Sequence, residues 1–70
     1  MIRQPVMSLV ILSIGYDPEE TVLEVEFKNG TIYQYFEVPE PIFLAVMASA
    51  TPETHLDQHV KNVYRNLKIQ

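Results

Sequence analysis

Asn29-Gly30 follows a short run in which apolar residues recur at every second position, and this constrains the chain more than any other feature. Asn-Gly adopts the positive backbone dihedrals of a tight hairpin at little steric cost, so an alternating strand that runs into it marks the first arm of an antiparallel hairpin. Before the turn, Thr21 to Lys28 puts Leu23, Val25 and Phe27 on one face and Glu24, Glu26 and Lys28 on the other. After it, Thr31 to Phe36 returns as the partner strand. A two-residue loop sets Lys28 opposite Thr31, Phe27 opposite Ile32, Glu26 opposite Tyr33 and Glu24 opposite Tyr35, with Leu23 facing Phe36. On that register Tyr33 and Tyr35 form an aromatic platform among glutamates. The other face is apolar and calls for a cover of helices.

The segments around the hairpin supply a further strand and that cover. Met7 to Tyr16 is rich in Leu, Val and Ile and runs into Asp17-Pro18-Glu19-Glu20, where Asp and Pro suit the first two positions of a type I turn. Val38-Pro39-Glu40-Pro41 stops the third strand, because proline has no N–H for a ladder. A short helix from Pro41 to about Ala48 follows, apolar nearly all round through Ile42, Phe43, Leu44, Val46 and Met47, as in a helix buried on more than one side. Thr51 and Pro52 are the N-cap and first residue of a second helix. Its predicted buried stripe is Leu56, Val60, Val63 and Leu67, and its predicted polar stripe is Gln58, Lys61, Arg65 and Lys68. The expected fold class is α+β: a three-stranded antiparallel β-meander followed by two α-helices packed on one face, as a single domain over residues 1–70.

A chain of 70 residues buries only roughly 60% of the surface its unfolded form exposes, so small proteins of this size often lean on a staple. There is no cysteine, which excludes disulfides and thiolate metal sites, and oligomerisation is the staple that remains. The same absence fits a reducing compartment. Val6 to Ile14 is too short to cross a bilayer and lacks the cleavage pattern of a secretory signal. A cytoplasmic protein with no membrane association is expected. The net charge of −4 is uneven: residues 1–53 carry two basic and eight acidic side chains, a balance of −6, and residues 54–70 carry three basic and one acidic, a balance of +2. An acidic body with a basic tail is ill suited to tracking a long polyanion but can meet one or two phosphates.

The residue patterns of common catalytic sites are missing. His55 and His59 have the i, i+4 spacing of a zinc clamp, but position 56 is Leu where a His-Glu-x-x-His site needs its acid, and no third ligand is evident. Ser8, Ser13 and Ser49 have no base placed beside them in the pattern. Glu24 and Glu26 share a strand face, yet nothing drives their ionisation apart as acid–base catalysis demands. With glycine only at positions 15 and 30 there is no phosphate-cradling loop. The expectation is a binding protein with no catalytic residue, no metal and no cofactor.

The series Ile14-Gly15-Tyr16-Asp17-Pro18, Leu23 to Phe27, Asn29-Gly30, Tyr33-Gln34-Tyr35-Phe36 and Val38-Pro39-Glu40 resembles the KTSC domain family, whose hallmark is a central Tyr-x-Tyr. That family occurs as small bacterial or phage proteins and at the C-terminus of some lysyl-tRNA synthetases. The resemblance covers roughly residues 5 to 69 and extends to Ser8, Val60, Lys61 and Tyr64. It implies RNA binding. The chain departs from the family pattern at Glu53, His55, Leu56 and Asp57, where relatives tend to read Gly, an aromatic, Phe and Asn, and at Val10 and Leu12, where polar residues are expected.

Two binding modes follow. In the first, RNA or a small nucleotide stacks on Tyr33 and Tyr35 while Lys61, Arg65 and Lys68 meet phosphate, with Ser8 and Tyr64 completing the site. In the second, the chain is a homo-oligomer or docks a partner protein through Val10, Leu12, Phe43 and Leu44.

Overall fold

Five antiparallel strands, not three, make the sheet. The computed structural model describes residues 2–70, and its elements in chain order are β1 (Arg3–Pro5), β2 (Ile11–Asp17), β3 (Val22–Phe27), β4 (Ile32–Tyr35), α1 (Glu40–Ala48), α2 (Pro52–His59) and β5 (Asn66–Lys68). Each strand pairs with its neighbours in sequence order, β1-β2-β3-β4-β5. The two extra strands are three residues each and lie at the two edges.

The expected first strand, Met7 to Tyr16, is divided. Arg3–Pro5 pairs with Ser13–Gly15, and residues 6–10 are the connection that turns the chain back. Ser8 organises this connection: its Oγ accepts the N–H groups of Val10 and Ile11 at 3.1 and 3.0 Å. A serine hydroxyl that captures backbone donors two and three residues ahead favours a turn over a strand. The ladder then shifts register between Ile11 and Ser13, a bulge that leaves Leu12 as the extra residue.

The hairpin register differs from expectation by one residue. Phe27 N–H donates to Thr31 C=O at 2.8 Å, Gly30 N–H donates to Phe27 C=O at 3.0 Å, and Gly30 takes φ +94°. The loop is therefore Lys28-Asn29-Gly30, the three-residue form that carries a glycine in the left-handed region. Asn29 Oδ1 steadies it by accepting the N–H and hydroxyl of Thr31. Leu23 now opposes Tyr35, Glu24 opposes Gln34, Val25 opposes Tyr33 and Glu26 opposes Ile32. One residue of slip moves every side chain to the other face. Tyr33 and Tyr35 thus share the face of Leu23 and Val25, and the glutamates face away from them.

That shared face is the core. Ile11, Ile14, Leu23, Val25 and Tyr35 from the sheet pack with Val38, Val46 of α1, Leu56 of α2 and Val60. Both expected helices exist where the prolines start them, and Pro52 stands at the head of α2. Val38 anchors the passage from sheet to helix. It gives its N–H to Thr21 C=O at 2.9 Å, and the Tyr16 hydroxyl donates to its carbonyl.

The second helix ends at His59, eight residues before Leu67. The N–H groups of Val60 and Lys61 both converge on Leu56 C=O, and those of Val63 and Tyr64 both return to Val60 C=O. The chain then lies along β4: Tyr33 opposes Lys68, Gln34 opposes Leu67 and Tyr35 opposes Asn66. Beyond the paired residues Phe36 N–H donates to Arg65 C=O, and Ile32 N–H to Gln70 C=O, each at 2.8 Å. Without this strand the backbone groups of β4 would stand unpaired along an edge. Val60, Asn62, Val63 and Asn66 are poor helix formers, so propensity offers little resistance. The predicted basic helical stripe therefore does not exist as a stripe: Lys61 follows the helix, Arg65 precedes β5 and Lys68 ends it. Among the described residues no helix is long and apolar enough to cross a membrane.

Candidate nucleotide-binding groove

The early end of α2 leaves part of the core face uncovered, and a groove of about 480 Å³ opens there. Its walls come from the β3–β4 hairpin (Phe27, Asn29, Thr31), from β4 (Tyr33, Tyr35), from the turn after α2 (Lys61, Asn62), and from Asn66 and Val10. Phe27 and Tyr33 meet edge to face at 5.9 Å, and Tyr33 and Tyr35 lie 6.4 Å apart with rings tilted by 30°. Tyr35 is a wall of the core, 1% exposed. Burial, and then the proximity of Tyr33 and Asp57, pushes its hydroxyl up to about 12. Tyr33 is half-buried and offers the accessible ring.

The lining carries three aromatic rings, two of them phenols, three side-chain amides, one aliphatic hydroxyl and one ammonium, and no carboxylate. In a chain of net charge −4 that selection matters. Lys68 stands opposite Tyr33 across the β4–β5 pair and on the same face, which brings a second cation to the groove's edge. Lys61 meets Asp57 at 3.7 Å in an exposed pair. Such a pair is worth little and releases its lysine readily.

The glutamates of the sheet are occupied on the far face. Gly15 lies between Arg3 and Glu24 in the register, and with no side chain there Arg3 reaches across it. Arg3 Nε is 3.4 Å from Glu24, and its terminal nitrogen is 3.6 Å from Glu26. Gln34 donates to Glu24 at 2.9 Å and Ser13 to Glu26 at 3.2 Å. The acidic rim expected around the tyrosines is thus on the opposite side of the sheet.

The fold distributes the other expected site residues. Tyr64 and Arg65 border a separate hollow with Phe36 and Glu37, and the Arg65 guanidinium lies 5.4 Å from the Phe36 ring centre. Ser8 donates to Glu53 at 2.8 Å, beside the start of α2. Of the four apolar residues, Val10 lines the groove and Phe43 stacks on Tyr16 at 5.0 Å, while Leu12 and Leu44 are about half exposed. The rings of His55 and His59 lie 4.4 Å apart on α2, tilted by 37°. Among the described residues no group of three or more potential ligands is placed to hold a metal ion.

Residues 7–64 match the KTSC domain model. The chain belongs to the KTSC domain family. The crystal structure of a KTSC domain protein from Yersinia pestis superimposes with a TM-score of 0.92 at 40% identity, covering 99% of this chain and 97% of that one. An uncharacterized protein of Stutzerimonas stutzeri is 38% identical over 61 residues, 87% of this chain and 86% of its own length. A protein of Tsukamurella paurometabola is 37% identical over 66 residues, 94% and 98% of the two chains. In this KTSC chain the Tyr-x-Tyr strand has two jobs: Tyr35 closes the core and Tyr33 faces the groove. Of the residues lining the groove, the sequence pattern singles out Tyr33, Tyr35 and Lys61 for a ligand and Val10 for a subunit contact, but not Phe27, Asn29, Thr31, Asn62 or Asn66 as site residues. The available signal was the alternation of Leu67 and Ile69 with Asn66 and Lys68, which reads as a strand and would have carried Asn66 to β4.

Proposed function

We propose that this KTSC domain binds a nucleotide unit in the groove beside Tyr33, either free or presented by an unpaired stretch of RNA. The observation that carries the reading is the lining: rings, amides and a lysine without a carboxylate, on the sheet face that the glutamates avoid. A base laid on Tyr33 gains stacking contact. Asn62 and Asn66 offer both a donor and an acceptor to a base edge. Lys61 and Lys68 serve as point charges for phosphate. The volume lies within the range of roughly 300–1,000 Å³ usual for small-molecule sites. A long RNA is disfavoured by the acidic remainder of the surface, so recognition is confined to one or two nucleotides.

Amide-resolved NMR titration with nucleoside monophosphates and with a short unpaired RNA tests this. Shifts should concentrate on Phe27 to Tyr35 and Lys61 to Lys68. Stacking on one ring is worth about 1–3 kcal/mol, so Tyr33→Ala should weaken binding roughly tenfold to a hundredfold. Lys61→Ala should weaken it and flatten its salt dependence. Absence of groove shifts at millimolar ligand, or binding indifferent to Tyr33→Ala, would overturn the reading.

A further inference from the structure

The connection between β1 and β2 turns its largest apolar side chains outward. Met7 is 92% exposed and Leu9 91%, although a cleft of about 490 Å³ lies beside them, bordered by Val6, Ala50, Lys28 and Glu53 as well as by the loop itself. Met7 also borders a second hollow of about 290 Å³ with Met47 and Pro52. The loop is pinned between these two residues, because Ser8 accepts two backbone N–H groups and donates to Glu53. Held at its centre, it cannot easily fold Met7 and Leu9 down into the hollows next to them.

Single exposed apolar residues are ordinary on a protein surface. Two of them, presented by a fastened loop beside unfilled hollows, make one patch that is both knob and socket. The rim of the cleft carries one charge of each sign, Lys28 and Glu53. In a two-fold contact each rim meets a copy of itself, so a rim with one charge of each sign is complementary to itself in charge. An isologous contact requires this kind of self-complementarity, since the same patch must serve both partners. A strongly acidic or basic partner would leave one of the two rim charges opposed. From this the geometry points to a second copy of the chain as the occupant: a symmetric homodimer in which Met7 and Leu9 of each protomer enter the cleft of the other. The cleft shares no lining residue with the groove of Tyr33, so this contact and the nucleotide reading stand or fall separately.

Sedimentation equilibrium of the full chain from micromolar to millimolar concentration, at low salt, is the test. A reversible monomer–dimer equilibrium is expected. Met7→Glu and Leu9→Glu should each raise its dissociation constant at least about tenfold, as removal of a buried anchor does. Both positions are solvent-exposed, so thermal unfolding of the variant monomers should match that of the parent monomer. Leu67→Glu, on the opposite edge of the sheet, should leave the equilibrium unchanged. The inference is overturned if the chain stays monomeric throughout. It is also overturned by a dimer that survives both loop variants. A monomer that co-sediments with phosphatidylcholine vesicles through Met7 would assign the loop to a lipid surface instead.

Discussion

Arg3 lies across Gly15. A methyl group at position 15 would meet Arg3 Cγ at 2.8 Å and the Ile2 carbonyl at 2.9 Å, distances that real contacts do not allow. The glycine is therefore what lets β1 sit flat on β2 and lets the guanidinium reach Glu24 two strands away. Glu24 and Glu26 are repelling neighbours on one strand face, and Arg3 is the charge that reconciles them.

From this contact Gly15→Ala is expected to lift β1 and loosen the Arg3 pairing. Overpacking of this kind costs about 1–3 kcal/mol. Urea unfolding followed by circular dichroism reads it directly. An unchanged midpoint would mean that β1 is not held against Gly15 at all.

Ser8→Ala removes the acceptor used by the Val10 and Ile11 N–H groups and the donor to Glu53. The expected loss is about 1–2 kcal/mol, the scale of partly exposed hydrogen bonds of which one involves a charged group. Hydrogen exchange should quicken first at the Val10 and Ile11 amides, while those of β3 keep their protection until global unfolding. Uniform acceleration across the sheet would argue against a local role.

Alkaline titration reads the enclosure of Tyr35. Its hydroxyl is raised from the ordinary 10.0 to about 12 by burial in the core, with Tyr33 and Asp57 adding to the effect. The folded state therefore holds this proton more tightly than the unfolded state does. The stabilisation is complete below pH 10 and fades as pH rises through 12, a loss of at most about 2–3 kcal/mol. Burial, followed by Glu40 and Asp17, moves Tyr16 in the same direction. Over that interval the parent should lose stability relative to Tyr35→Phe, which has no phenolic proton to lose. A parent protein whose stability is flat from pH 10 to pH 12 would show that Tyr35 is not enclosed.

Much of this arrangement was legible in the residues, and the failures share a cause. The prolines at 41 and 52 announced the two helices, and the Asn-Gly turn announced the hairpin. The length of that hairpin's loop was not legible, because Asn29-Gly30 suits a loop of two residues and one of three equally well. The choice is made by hydrogen bonds from Phe27 and Gly30 and by the core that must receive Tyr35. The end of α2 was hidden for a related reason. Leu56, Val60, Val63 and Leu67 keep helical spacing, yet Leu67 and Ile69 also alternate with Asn66 and Lys68. The arbiter is the open edge of β4, a non-local demand that no window of sequence contains. For the site, Tyr33, Tyr35 and Lys61 were visible as chemistry, whereas Asn62 and Asn66 become neighbours of Tyr33 only once β5 is laid down.

The three-residue loop after Phe27 works as a parity setting for the sheet. As far as the pairing of β3 with β4 is concerned, what fills Lys28-Asn29-Gly30 is open to exchange within the limits of a left-handed third position. Whether its length is odd or even is not open in the same way. Shortening or lengthening it by one residue would hand the core Ile32 and Gln34 and turn both tyrosines outward towards Arg3, Glu24 and Glu26. A change by two would keep every side chain on its own side. For the sheet, this exposed turn is thus more tolerant of composition than of count, and a single-residue deletion there should do more damage than any substitution within it.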